Sequence, residues 1–301
     1  MTGTTRGRRR TRGAADPGGR WLPRLLFLGP GVAWWVLLFA IPVALILLYS
    51  LFTRGPFGGV EYRFTLRNFE RALDPLFVRV LWGSLQTAFI ATAAALLIGY
   101  PAAYFIATRP ARWRLPLLVL IILPFWTNLL IRTYAWIVLL NREGLVNRTL
   151  TGVGLIDEPL TLLNTRLAIV IGLLYLYLPL MVLPLFAAIE RLGRSPREAA
   201  EDLGAGPVRS FVRVTFPLTL PGVMAGCIFV FVPSLGNFIV PDLLGGGKAI
   251  MVGNLIQAQF FQARDWPFGA ALSISVLAVT MVLLLVQARV LTRERRLAAR
   301  G

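Results

Sequence analysis

An all-α integral membrane protein with six transmembrane helices is predicted by the apolar content, the length of the uncharged runs and the sidedness of the arginines. Hydrophobic residues make up 56% of the 301-residue chain and charged residues only 15%, against roughly 25% charged in a soluble domain. The mean hydropathy is +0.70. The apolar residues collect in six runs, 25–52, 81–108, 115–140, 167–189, 214–241 and 266–288, and Arg132 is the one charge inside them. Each run exceeds the roughly 20 residues a helix needs to cross about 30 Å of hydrocarbon. The first is too long for a signal-peptide core of about 7–15 residues, so it reads as a retained span.

Charge on the connections sets the expected orientation. There are 31 Lys and Arg against 14 Asp and Glu, a formal charge of +17, and Lys248 is the sole lysine. Twenty of these cations fall on the two tails and on connections 109–114 and 190–213, and 11 on the rest of the chain. The positive-inside rule then places both termini and those two connections in the cytoplasm. The expected layout is a basic tail over 1–24, a transmembrane domain over 25–290 and a second basic tail over 291–301. A basic excess also marks nucleic-acid binding proteins. In a membrane chain it reports topology instead, so the arginine-rich tail is expected to be disordered and to meet anionic lipid headgroups, with no nucleic acid. Trp82, Trp136 and Trp266 stand near span ends, where indole rings anchor. Segments 65–72 and 145–150 have the composition of short interfacial helices.

The inventory excludes much chemistry. There is no His and a single Cys, Cys227, so no intrachain disulfide, cysteine zinc site or His-based catalytic pair can be assembled. No cofactor and no metal are expected. Gly245-Gly246-Gly247-Lys248 lacks the preceding Gly and the following Ser or Thr of a phosphate loop, since Asp242 and Ala249 stand there. Gly222 and Gly226 form a GxxxG that suits close helix approach, with intrachain packing favoured over a dimer seam. Asn147-Arg148-Thr149 matches a glycosylation sequon of a kind that arises often by chance, and Cys227 reads as a small packing residue.

The connection 190–221 is organised beyond the needs of a linker. Ser195, Pro196 and Glu198 have the spacing of an N-cap, a proline at the first helical position and a capping-box acid. Gly204 suits a left-handed helix end, and Gly206-Pro207 marks the start of a second short helix leading to Pro217. The product is a helical elbow, with Ala199 and Ala200 keeping one flank thin. Two readings fit it on physical grounds: a helix that inserts into a partner's groove, and a stable connector between spans.

Glu198-Ala199-Ala200, Leu203-Gly204, Phe211, Pro217-Leu218 and Pro221-Gly222 resemble the EAA signature of permease subunits of binding-protein-dependent, type I ABC importers. The resemblance implies the MetI-like transmembrane fold, with Glu198, Ala199, Ala200, Leu203 and Gly204 in the helix that docks on the ATPase subunit. Residues 124–134 (Pro124 to Tyr134), 224–227, 240–246 and 264–269 resemble segments of spermidine/putrescine permeases, and the likeness runs from about residue 25 to 289. It implies a transport subunit with no catalysis of its own, in the cell membrane. Its implied partners are two ATPase subunits, a second homologous permease and an extracytoplasmic binding protein that delivers a polyamine. Relatives carrying opines, thiamine or other organic cations share the framework. An ion-coupled secondary transporter is the competing class, but the middles of the spans hold none of the Asp, Glu or His such coupling usually uses.

A protonated polyamine is met by carboxylates and aromatic faces. Pro233, Gly236 and Pro241 can open the fifth span so that backbone lines a cavity. Asn237 and Asp242 beyond that opening, with Trp126, Asn128 and Tyr134 of the third span, are the expected path residues. Arg132 would repel the cargo, and an ion pair with Asp242 in an outer gate is the expected arrangement. The alternative is that Asp242 caps a loop and Arg132 snorkels to the headgroups.

Overall fold

The computed structural model describes residues 29–193 and 195–298, with side chains as far as Arg289. The basic segment 1–24 and the last residues of the C-terminal tail lie outside the described residues. The chain forms two compact units, residues 1–48 and 49–301. Helix α1 (Gly29–Ser50) is apolar on all sides and contains a π-helical turn at Val36–Ala40. Trp35 and Phe39 stack along it, with ring centroids 5.4 Å apart. A helix apolar all round is what a bilayer, rather than an aqueous surface, selects.

In the second unit a two-stranded ribbon, β1 (Thr53–Arg54) and β2 (Val60–Glu61), precedes the short helix α2 (Arg67–Ala72). Asn68 of α2 is buried and donates to Ser50 O (2.9 Å) and Phe52 O (2.7 Å), which ties the ribbon's entry to the helix. Helix α3 (Pro75–Thr108) starts six residues ahead of the second apolar run, because Asp74 caps it by accepting from Leu76 N at 2.9 Å and Pro75 occupies the first turn. Helix α4 (Ala111–Trp126, ending in a 3₁₀ turn) and α5 (Leu129–Leu140) follow, then α6 (Leu145–Gly152) and the long α7 (Arg166–Leu192). The elbow helix α8 (Ser195–Asp202) leads to α9 (Pro207–Gly236). Helices α10 (Ile239–Gly245), α11 (Val252–Phe261) and α12 (Trp266–Ala298) complete the chain.

The core is built where α3, α7 and α9 pack on one another. One cluster joins Tyr100, Ala103 and Ile106 of α3 to Met181, Val182 and Leu185 of α7 and Val223 and Val230 of α9. A second joins Ala91, Ile169, Leu173, Val240 and Leu244. Glycines set the approach. A Cβ on Gly99 would lie 2.9 Å from Met181 Cγ, and one on Gly226 would lie 2.6 Å from Met181 Sδ, so the Met181 side chain fills the gap left by two glycines. Gly222 faces Ala188 and the Pro184 carbonyl of α7. The GxxxG pair therefore serves packing within the chain. Asn147 is likewise spent internally: it is 1% exposed, donates to Asn141 O and Leu160 O, and accepts from Leu160 N.

Among the described residues five helices are long and apolar enough to cross a membrane, and a sixth span is counted if a bent pair is one crossing. That pair corrects the continuous third helix expected over 115–140. Its two arms, Ala111–Trp126 and Leu129–Gly152, meet at 91°. Pro124 and the extended Thr127 (φ −77°, ψ 155°) end the first arm, and Asn128 starts the second as its N-cap. The fifth helix is displaced too. It runs Pro207–Gly236 instead of 214–241: the short helix expected from Gly206-Pro207 is present as Pro207–Ser210, but it continues through Phe211–Thr215 into the span.

Candidate functional site

The elbow is a short helix with one firmly closed end. Gly204 adopts φ +80°. Ala205 N donates to Ala200 O and Gly204 N to Glu201 O, both at 2.9 Å. This pair of bonds is the Schellman closure expected of a left-handed glycine. The other end differs from the expected capping box. Ser195 lies inside the first turn rather than before it, and neither its hydroxyl nor the Glu198 carboxylate makes a capping bond among the described residues. Glu198, in the first turn, is exposed and forms no ion pair there, and Leu203, next to the closed end, is 90% exposed.

Behind this surface the elbow is anchored to the spans. Arg197 donates from Nε to Glu201 Oε1 (2.8 Å) and from Nη1 to the Tyr104 hydroxyl of α3 (2.9 Å). Bonding to Glu201, with support from Tyr104, holds the Arg197 guanidinium pKa above its ordinary value, so it stays charged. Arg114 at the foot of α4 pairs with Glu190 near the end of α7 at 2.9 Å. These side chains, with Glu198, line an open pocket of about 400 Å³. Arg197 and Tyr104 were not singled out from the sequence. They are 93 positions apart, and no local pattern announces the bond.

The second candidate region lies where the third and fifth spans break. Helix α10, which follows the fifth-span break, packs against α7 and against α5, which follows the third-span break. Asn237 bridges the fifth-span break: its Oδ1 accepts from Val240 N and its Nδ2 donates to the Tyr177 hydroxyl, both at 2.9 Å, and that hydroxyl donates to Pro233 O at 3.3 Å. Gly253 of α11 presses on the same place, where a Cβ would lie 2.6 Å from Asn237 O. Asn128 is a helix cap, accepting from Leu130 N at 2.8 Å. Trp126 is 80% exposed and Tyr134 is exposed along α5. Tyr177, Gly253 and Asn254 are the polar and close-packed members that the sequence did not single out.

Asp242 and Arg132 do not pair. Asp242 is exposed on α10, and its Oδ1 accepts from Asn254 Nδ2, which also donates to Phe238 O at 2.9 Å. Arg132 joins none of the ion pairs among the described residues, its Nε is buried without a partner, and its guanidinium carbon stands 5.5 Å from the Phe125 ring centre. In place of the ion pair expected from the sequence, the acid has an amide partner on α11. It follows that Arg132→Ala and Asp242→Asn should lower uptake independently, adding within about 0.5 kcal/mol. Asp242→Asn and Asn254→Ala should be strongly non-additive. A double-mutant cycle on initial uptake rates checks both, and coupling between Arg132 and Asp242 would contradict the arrangement.

The chain resembles known proteins in sequence and fold. Residues 95–296 match the family described as binding-protein-dependent transport system inner membrane component. The chain is 47% identical over 255 residues to the spermidine/putrescine transport system permease protein PotB of Escherichia coli strain K12, covering 85% of this chain and 93% of that protein. It is 45% identical over 253 residues to the protein of that name from Haemophilus influenzae, covering 84% and 88% respectively. A solved bacterial ABC transporter involved in the import of the acidic polysaccharide alginate shares the fold, with a TM-score of 0.67 at 19% identity over 91% of this chain and 96% of that one. With its elbow, its broken spans and these matches together, the chain belongs to the family of binding-protein-dependent transport system inner membrane components.

Proposed function

We propose that the chain is the permease subunit of an ATP-driven importer and forms half of the path for a polyamine, spermidine or putrescine. The observation that carries the reading is 47% identity extending over 93% of the Escherichia coli spermidine/putrescine permease. In this reading an extracytoplasmic binding protein delivers the cargo and a homologous permease completes the path. Two ATPase subunits dock on the elbow through Glu198, Ala199, Ala200, Leu203 and Gly204 and carry the ATP hydrolysis. The arginine distribution supports an orientation with both termini and the elbow in the cytoplasm.

The chemistry of the broken spans fits a cation. Stripping water from protonated amines in hydrocarbon costs far more than thermal energy, so a path must offer acceptors in sequence. Helix α9 ends at Gly236, where the negative end of its dipole and its last carbonyls gather. Asp242 adds a carboxylate beyond the break, and Trp126 and Tyr134 add aromatic faces that attract ammonium groups. Asn237 and Asn128 hold the two breaks open by capping the helices that follow. Arg132 supplies the opposing charge of a gate beside Tyr177.

The test is uptake of radiolabelled spermidine by cells lacking polyamine importers and expressing this chain with its partner subunits. Saturable, ATP-dependent uptake competed by putrescine is expected, and its absence with all subunits present in the membrane would reject the reading. The docking surface is tested separately. Glu198→Arg should reduce co-purification of the ATPase subunits at least tenfold while leaving the amount of permease in the membrane within twofold. Orientation is read with impermeant thiol reagents in a Cys227→Ser background, where Ala111→Cys should be protected from outside and Gly59→Cys should react.

A further inference from the structure

Docking at the elbow moves cargo only if the displacement of α8 reaches the spans, and the side chains behind α8 form one continuous connection. Arg197, steadied by Glu201, holds the Tyr104 hydroxyl of α3 at 2.9 Å. The Tyr104 ring meets Phe211 edge-on at 6.0 Å, and Phe211 meets Tyr100 edge-on at 5.5 Å. The Tyr100 hydroxyl lies 2.8 Å from Thr219 Oγ1, and Thr219 bonds back to Thr215 O at 2.9 Å. The route thus starts on α8, crosses to α3 and ends on the root of α9.

That root is not a regular α-helix. Phe211–Thr215 is wound as a π-helical turn, entered from Ser210 and leaving into Phe216 without a break. Such a turn carries one residue more than the α-helix accommodates, and it recurs at functional positions. Tightening it to α geometry changes the winding, and so the rotation, of the helix that leaves it. Ser210, 1% exposed, has a buried hydroxyl without a hydrogen-bond partner among the described residues. A buried polar group left unpaired is a cost that rearrangement of the turn can recover. The two observations mark a segment with a second arrangement within reach.

We infer that Arg197 and Tyr104 are the positioning residues of energy coupling: their hydrogen bond and the Tyr104–Phe211–Tyr100 stack convert movement of α8 into rewinding of the π turn, which rotates α9 and with it the break at Gly236. The inference rests on the docking role proposed for the elbow and names what lies between docking and the path.

The experiment uses the full complex of both permeases, the ATPase subunits and the binding protein in proteoliposomes. ATP hydrolysis and spermidine uptake are measured on the same sample. Tyr104→Phe removes the acceptor but keeps the ring, and Arg197→Lys keeps the charge but loses the fork that serves two acceptors. Each is expected to keep complex assembly and ATP hydrolysis within about twofold of wild type while spermidine moved per ATP falls about tenfold. The double variant should be no worse than either single one, since both remove one bond. A second readout is independent of cargo. Spin labels on Asp202→Cys and Phe229→Cys, in a Cys227→Ser background, should change separation on ATP addition, and Tyr104→Phe should abolish that change. Unaltered uptake per ATP together with an unaltered label movement in Tyr104→Phe would overturn the linkage. Failure of the ATPase subunits to assemble with the wild-type chain would instead overturn the docking role on which it rests.

Discussion

Gly222→Val should lower the stability of the folded chain by about 3 kcal/mol. Gly222 lies in α9 against α7, and any Cβ there would strike the Ala188 Cβ and approach the Pro184 carbonyl oxygen at 2.8 Å. A backbone carbonyl inside a long helix cannot move aside as a side chain can. Overpacking a well-filled core costs about 1–3 kcal/mol, and the rigid obstacle sets this case at the upper end. Against a total stability of roughly 5–15 kcal/mol, that is a lowering of Tm by about 5–10 °C. Gly226→Ala is the contrast. Its Cβ would meet the flexible Met181 thioether at 2.6 Å and the Met181 carbonyl oxygen only at 3.2 Å, so a smaller loss of about 1 kcal/mol is expected. Thermal unfolding of the two detergent-purified variants ranks them, and equal losses would show that the α7–α9 seam yields.

Arg71→Leu is the second large effect, and it should exceed that of removing its partner. Asp265 sits just ahead of α12 with its side chain 2% exposed, and pairs with Arg71 Nη1 at 3.0 Å, whereas Arg71 is 46% exposed. The guanidinium also lies 3.9 Å from the centre of the buried Phe268 ring. Removing Arg71 strands a buried carboxylate, which costs about 3–5 kcal/mol where nothing else supports it. Here Asp265 Oδ1 still accepts from Phe268 N at 3.2 Å, so about 2–3 kcal/mol is expected. Asp265→Asn keeps that cap and leaves Arg71 half in water, so about 1 kcal/mol is expected. Measured stabilities in the reverse order would place the charge burden on the arginine. The same contacts bind the ribbon region to the start of α12, with Arg54 Nη2 on Ala263 O at 2.8 Å and Gly59 N on Arg264 O at 2.9 Å.

Most of the elbow was legible because its determinants are local. A glycine at a left-handed helix end and a proline in a first turn act over three or four residues, and Gly204 and Pro207 do so in the fold. The capping box misled, since Ser195 and Glu198 make no capping bond among the described residues. The break of the fifth span was legible from Pro233 and Gly236, which weaken a helix wherever they occur. The bend of the third span was not. Pro124 stands in an unbroken apolar run, and whether a proline kinks a helix or ends it depends on what the freed backbone groups meet. Here Thr127 takes Pro124 O and Asn128 restarts the chain as a cap.

The sequence by itself determined a membrane-embedded helical chain, the position of the elbow and the family signature it carries, since composition, run length and short-range capping need no neighbours. Tertiary structure alone decided the partnerships. Asp242 meets Asn254 rather than Arg132, Tyr104 meets Arg197, and Gly222 and Gly226 face Pro184 and Met181 within the chain. Each of these pairs joins residues from different helices. Partner choice between them is set by helix length, crossing and rotation, which a one-dimensional pattern of charge and hydropathy leaves open because many rotations bury the same apolar surface.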